Sequence, residues 1–120
     1  MNEANALGRI VSVTVDRPLG SRHPEHGDIV YSVNYGCVPG VMAGDGEAQD
    51  AYILGVSHPI DRFEGEVIAV IRRLNDAEDK WVVAPRGMRL SRKEIAARVN
   101  FVERFFQIEI EMVQDGRDAT

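Results

Sequence analysis

The chain carries a single cysteine, Cys37, in 120 residues. Without a second thiol it forms no internal disulfide, which fits a reducing compartment. Cys37 itself reads as a small buried apolar residue rather than a nucleophile. Long apolar runs are also missing. No stretch approaches the roughly 18 apolar residues of a membrane span, and Met1 to Gly8 has neither the basic start nor the apolar run of a secretory leader. The expectation is a cytoplasmic protein with no membrane partner. Aromatic residues make up only 7% and the net charge is -5. Both facts argue against a nucleic-acid partner, which needs a basic face and stacking rings. The one basic tract, Arg72, Arg73, Lys80, Arg86, Arg89, Arg92 and Lys93, reads mostly as solvated surface.

What is present is an ordinary globular composition, with 44% apolar residues and room for one core. Residues 1–120 are expected to form a single domain, with polar ends over 1–7 and 114–120. Arg9 to Asp16 sets Ile10, Ser12 and Thr14 against Val11, Val13 and Val15, a strand with one buried face. Ser21 to Asp28 is polar and irregular. Ile29 to Tyr35 returns to strand character, with Gly36, Pro39 and Gly40 marking turns. Ala51 to Val56 reads as a buried strand. Val67 to Leu74 and Trp81 to Ala84 flank the charged turn Asn75 to Lys80 as a hairpin. One helix is announced by the capping box Ser91 and Glu94, followed by Ile95, Val99, Val102 and Phe106 at helical spacing. A last strand alternates over Ile108 to Val113. Five or six strands with one late helix predict a mainly β (α+β) fold, a small OB-like closed barrel whose helix plugs an end or covers a side.

The loop Asp45-Gly46-Glu47-Ala48-Gln49-Asp50 concentrates three carboxylates on a tight turn. Hard divalent cations take oxygen ligands, and Mg²⁺ is commonly held by one or two carboxylates together with water and substrate phosphate. On spacing alone an exposed acidic turn is the better reading.

Context changes the balance. Tyr31-Ser32-Val33-Asn34-Tyr35-Gly36 precedes the loop, and an apolar strand follows it. Together these residues resemble the core of the soluble, Mg²⁺-dependent, barrel-type inorganic pyrophosphatases. That family carries Tyr-Pro-x-Asn-Tyr-Gly and then Asp-Gly-Asp-Pro-x-Asp. Here Glu47 replaces the middle Asp and Ala48 the Pro. The acidic turn Asp76, Glu78, Asp79 followed by Lys80 matches a later segment in a shortened form. The resemblance implies that Asp45, Asp50 and Glu78 share a metal and that Asp76 helps hold a second. It implies Glu47 as the general base, Lys80 as the grip on phosphate, and Tyr35 as a hydrogen-bonding partner near both. Mg²⁺ is the implied cofactor, with Mn²⁺ or another divalent ion as alternatives, and a homo-oligomer is implied more weakly. Such ions neutralise a concentrated anion and lower the pKa of a bound water.

The likeness has gaps. The family's Lys-x-Glu segment is missing, and His23 stands where an Arg is expected. Phe105-Phe106 occupies the place of a late Tyr-Lys pair. Cationic clamps supply much of the stabilisation of a phosphoryl group, so Arg17, Arg22, His23 and His26 are candidates to stand in; Arg22 and His23 are carried as substrate-binding residues. Imidazole also suits Zn and Cu, while an exposed loop with two ordinary histidines is an equal reading. His58 reads as a turn residue. Three functions remain: a compact Mg²⁺-dependent pyrophosphatase acting on a small phosphorylated substrate, a catalytically degenerate relative that binds metal, phosphate or a partner (or acts on another phosphoanhydride), and, last, an OB-like nucleic-acid binder.

Overall fold

The β-branched run at the start of the chain forms β1 (Ile10–Arg17), with Val11 and Val13 buried and their neighbours exposed. The computed structural model describes residues 6–76 and 78–113. Four further strands complete the wall: β2 (Asn34–Met42), β3 (Ala48–Ile53), β4 (Arg62–Arg73) and β5 (Asp79–Ala84). The sheet runs β1-β2-β3-β5-β4, and the N-terminal half of β4 pairs back onto β1, closing a five-stranded barrel. Among the described residues, only β3 and β5 pair in parallel. The helix α1 (Arg92–Glu103) follows, and β6 (Ile108–Met112) adds to the C-terminal half of β4.

Two clusters make up the core. Val13, Val38, Ile53, Val70, Trp81 and Val83, drawn from all five barrel strands, fill the interior. Tyr35, Tyr52, Ile71 and Val82 from the outer face pack with Ile95 and Val99 of α1. The helix therefore covers one side of the barrel. Strands buried on both faces read as continuous apolar runs rather than alternations, which accounts for Val67 to Ile71 and Trp81 to Ala84. The capping box forms as expected: Ser91 Oγ accepts from Glu94 N at 3.0 Å, and Glu94 Oε1 accepts from Ser91 N at 2.9 Å.

Several expectations are corrected. Pro39 and Gly40 lie inside β2, where a bulge between Val38 and Met42 absorbs them. The reversal comes at Ala43 to Glu47, with Ala43 N donating to Glu47 O at 2.7 Å and Gly46 at φ +86. Regular strand begins at Asn34 rather than Ile29. The backbone ahead of it pairs with its own loop, through the bridge Arg22 to Val30 and the bond from Tyr31 N to Ser21 O. Ala6 is 4% exposed and Gly8 N donates to Val67 O, so the end of the N-terminal stretch is packed; residues 1–5 and 114–120 lie outside the described residues. Phe106 falls beyond α1, whose third buried residue is Glu103. Arg73 and Lys80 of the basic tract are buried, not solvated.

Candidate phosphate site

Asn34, Tyr35 and Gly36 open β2, and the fold fixes each for a different reason. Gly36 lies against β1 so closely that a Cβ would sit 1.9 Å from Thr14 O. Asn34 is fully buried. Its Oδ1 accepts from Leu19 N at 2.8 Å and Ile60 N at 3.3 Å, and its Nδ2 donates to His58 O at 2.9 Å. It braces two loops, and His58 serves there through its backbone. Tyr35 turns its ring toward Tyr31 and Tyr52, at 5.5 and 5.0 Å.

The hairpin tips β2–β3 and β4–β5 lie together. Lys80 on β5 is 5% exposed at its side chain; its Nζ donates to Tyr35 Oη at 2.9 Å and Asp50 Oδ2 at 2.7 Å, and stands 3.0 Å from Glu78 Oε1. Burial pulls its ammonium down, but Tyr35 and Asp50 outweigh that and hold it above the ordinary value. Burial likewise pushes the Tyr35 phenol up, against the opposing charge of Lys80. Lys80 is thus charged and Tyr35 neutral around neutral pH. Asp45 sits at the exposed tip. Its carboxyl is held below the ordinary range by the Glu47 N–H, which donates to Oδ1 at 3.0 Å, and then by hydrogen bonding with Glu78.

Tyr35, Asp50, Glu78 and Lys80 border a cavity of about 570 Å³ whose polar lining also includes Arg17 and Arg73, while Asp45 lies outside it. Arg17 Nη1 donates to Tyr31 Oη at 2.6 Å. Arg73 donates twice to Glu103, from Nε to Oε1 at 3.0 Å and from Nη2 to Oε2 at 2.7 Å, and once to Glu78 Oε1 at 3.2 Å. Tyr52 Oη donates to the same Glu103 at 2.7 Å. His23 lines the cavity with His26 beside it, their rings 5.0 Å apart. Partial burial, Arg17 and His26 lower the pKa of His23.

The remaining predicted residues lie outside the lining. Glu47 is exposed at the tip. Asp76 pairs with Arg73 Nη1 at 3.7 Å, and Arg22 Nη1 donates to Gly27 O within its own loop. Cys37 is half-buried, and burial, followed by Asp16 and Asp50, raises its pKa, the opposite of what activates a thiolate. Sequence reasoning missed Arg73, Glu103 and Tyr52. Their only signal was Glu103 at helical spacing from Val99 on a buried face.

The resemblance carried by the two sequence motifs implies a divalent metal. Asp45, Asp50 and Glu78 suit it in kind, being all hard oxygen donors, and Asp50 and Glu78 already converge on one cation, the Lys80 ammonium. Among the described residues, no three His, Cys, Asp or Glu side chains stand together as a ready metal site.

No protein-family model matches this chain, and no curated protein matches it. Solved structures do. The chain is 22% identical to an inorganic pyrophosphatase from Neisseria gonorrhoeae, covering 83% of itself and 79% of that chain at a TM-score of 0.62. It is 15% identical to one from Ehrlichia chaffeensis, covering 89% and 88% at 0.69, and 16% identical to one from Coxiella burnetii, covering 94% and 90% at 0.62. This likeness shows that the chain has the soluble pyrophosphatase fold.

Proposed function

We propose that the chain hydrolyses a phosphoanhydride, with inorganic pyrophosphate as the simplest substrate, in a reaction that depends on Mg²⁺ or a similar divalent cation. The observation that carries this reading is the convergence of Asp50, Glu78 and Tyr35 on a buried, charged Lys80 at the edge of a cavity in the pyrophosphatase fold.

Lys80 grips a phosphate oxygen, since a desolvated ammonium is worth far more to an anion than an exposed one. Tyr35 accepts a bond from Lys80 Nζ, and its own O–H, engaged with Asp50, turns to a second phosphate oxygen when that carboxylate moves to the cation. Arg17 and, within the limits set by Glu103, Arg73 add positive charge; Arg22 and His23 belong to the loop alongside. Asp45, Asp50 and Glu78 would hold the cation, with Asp76 near a second, and the cation would neutralise the anion and acidify a water. Glu47, on the same hairpin tip, takes the water's proton.

A second reading is a degenerate, binding-only relative. It is favoured by the fact that Asp50 and Glu78 are already paired with the chain's own cations. Phosphate release from pyrophosphate, measured with Mg²⁺ and with chelator for the wild type and Lys80→Met, separates the two. Metal-dependent release lost in the variant supports hydrolysis. Binding of pyrophosphate by the wild type without release supports the second reading.

A further inference from the structure

The cavity's lining is of two kinds. Beside the charged groups it includes the apolar side chains Ile29, Val102, Phe105 and Phe106 and the rings of His23 and His26. Phe105 is 59% exposed, one of the few large apolar side chains left in solvent among the described residues. It has Arg104 5.0 Å from its ring centroid, while the Arg73 guanidinium lies 3.7 Å over Phe106. Inorganic pyrophosphate has no apolar surface and gains nothing from such a lining. A volume of about 570 Å³ is in the range that encloses ligands of drug size, roughly 300–1,000 Å³. Asp28 also lines the cavity. Asp28 is an acceptor that a phosphate would repel and a sugar hydroxyl would use.

Resting on the hydrolytic reading above, we propose that the substrate is a phosphoanhydride bearing a planar organic group, of the nucleoside diphosphate kind. Its terminal phosphate sits at Lys80 and Tyr35, and its ring stacks on Phe105 at the cavity wall. Hydrolysis adds water oxygen to the terminal phosphorus and breaks the bridging P–O bond. The bridging electron pair leaves with the nucleoside monophosphate, and the proton of the water passes by way of Glu47 to solvent.

The test uses ADP and inorganic pyrophosphate as probes, with Mg²⁺, reading Kd and phosphate release for the wild type, Phe105→Ala and Lys80→Met. Stacking on one ring is worth about tenfold or more in affinity. ADP is therefore expected to bind about tenfold more tightly than pyrophosphate, and Phe105→Ala to narrow that ratio about tenfold. Phe105 is exposed, so its truncation does not threaten folding. Pyrophosphate binding as tightly as ADP, or a ratio indifferent to Phe105→Ala, overturns the inference while leaving hydrolysis standing. Absence of both binding and release with either probe overturns both.

Discussion

Two clusters in this molecule look alike in composition and differ in what they are free to do. Each sets one cation among carboxylates and a tyrosine: Arg73 with Glu103, Glu78 and Tyr52, and Lys80 with Asp50, Glu78 and Tyr35. In the first, the Arg73 and Glu103 side chains are 7% and 1% exposed and joined by two parallel bonds. That cluster latches the end of α1 to β4, and its buried members Arg73, Glu103 and Tyr52 have nowhere else to go. In the second, Lys80 is as buried as Arg73, but Asp50 and Glu78 are 33% and 32% exposed. They can turn from the ammonium to a ligand at modest cost. Glu78 touches both clusters, so the rigid one steadies the labile one. The same ingredients make a strut where both partners are buried and a binding site where only the cation is.

The comparison breaks most visibly at Glu103. Glu103→Ala strips Arg73 of its bidentate partner, and removing one member of a buried pair costs about 3–5 kcal/mol. A denaturant midpoint that barely moves would mean that the first cluster is no strut. Tyr52→Phe removes one hydrogen bond to a charged acceptor and is expected to lower stability by about 1.5 kcal/mol. Asp50→Asn, at a partly exposed position, should lower stability by under about 1 kcal/mol, yet reduce phosphate release about 100-fold or more. That split between folding and activity is the signature of the labile cluster, and equal losses in both would erase the distinction. The smallest effect is expected at a third pair, Glu66 with Arg89, 3.0 Å apart, whose arginine side chain is 37% exposed. Arg89 and the Gly87 N–H lower the pKa of Glu66 from 4.5, with burial opposing them. A carboxylate depressed in the folded state contributes stability above its unfolded value, and that contribution is lost as pH falls through the folded one. Glu66→Gln should therefore flatten the acid side of the stability profile below about pH 4.5, with the exposure of Arg89 keeping the change under about 1 kcal/mol.

Much of this architecture was legible in the residues. The alternation at Val11, Val13 and Val15, the apolar runs of β4 and β5 and the Ser91–Glu94 box all act over a few positions, and each became the element expected. Pro39 and Gly40 misled because a bulge inside a strand uses the same residues as a turn. Asp45, Asp50, Glu78 and Lys80 came together because two hairpin tips are neighbours, which motif order suggested before any distance was known. Arg73 was not legible. Nothing local distinguishes it from a surface arginine, and its burial depends on Glu103, 30 positions away. The same is true of the wall at Phe105 and Phe106, which reads as helix core until the helix ends at Glu103.

The measurement that bears most directly on the central claim is phosphate release from pyrophosphate, with Mg²⁺ and with chelator, for the wild type and Asp50→Asn at matched folded fractions. The account predicts metal-dependent release by the wild type that falls about 100-fold in the variant. Release that persists in Asp50→Asn, or that ignores chelator, would contradict it.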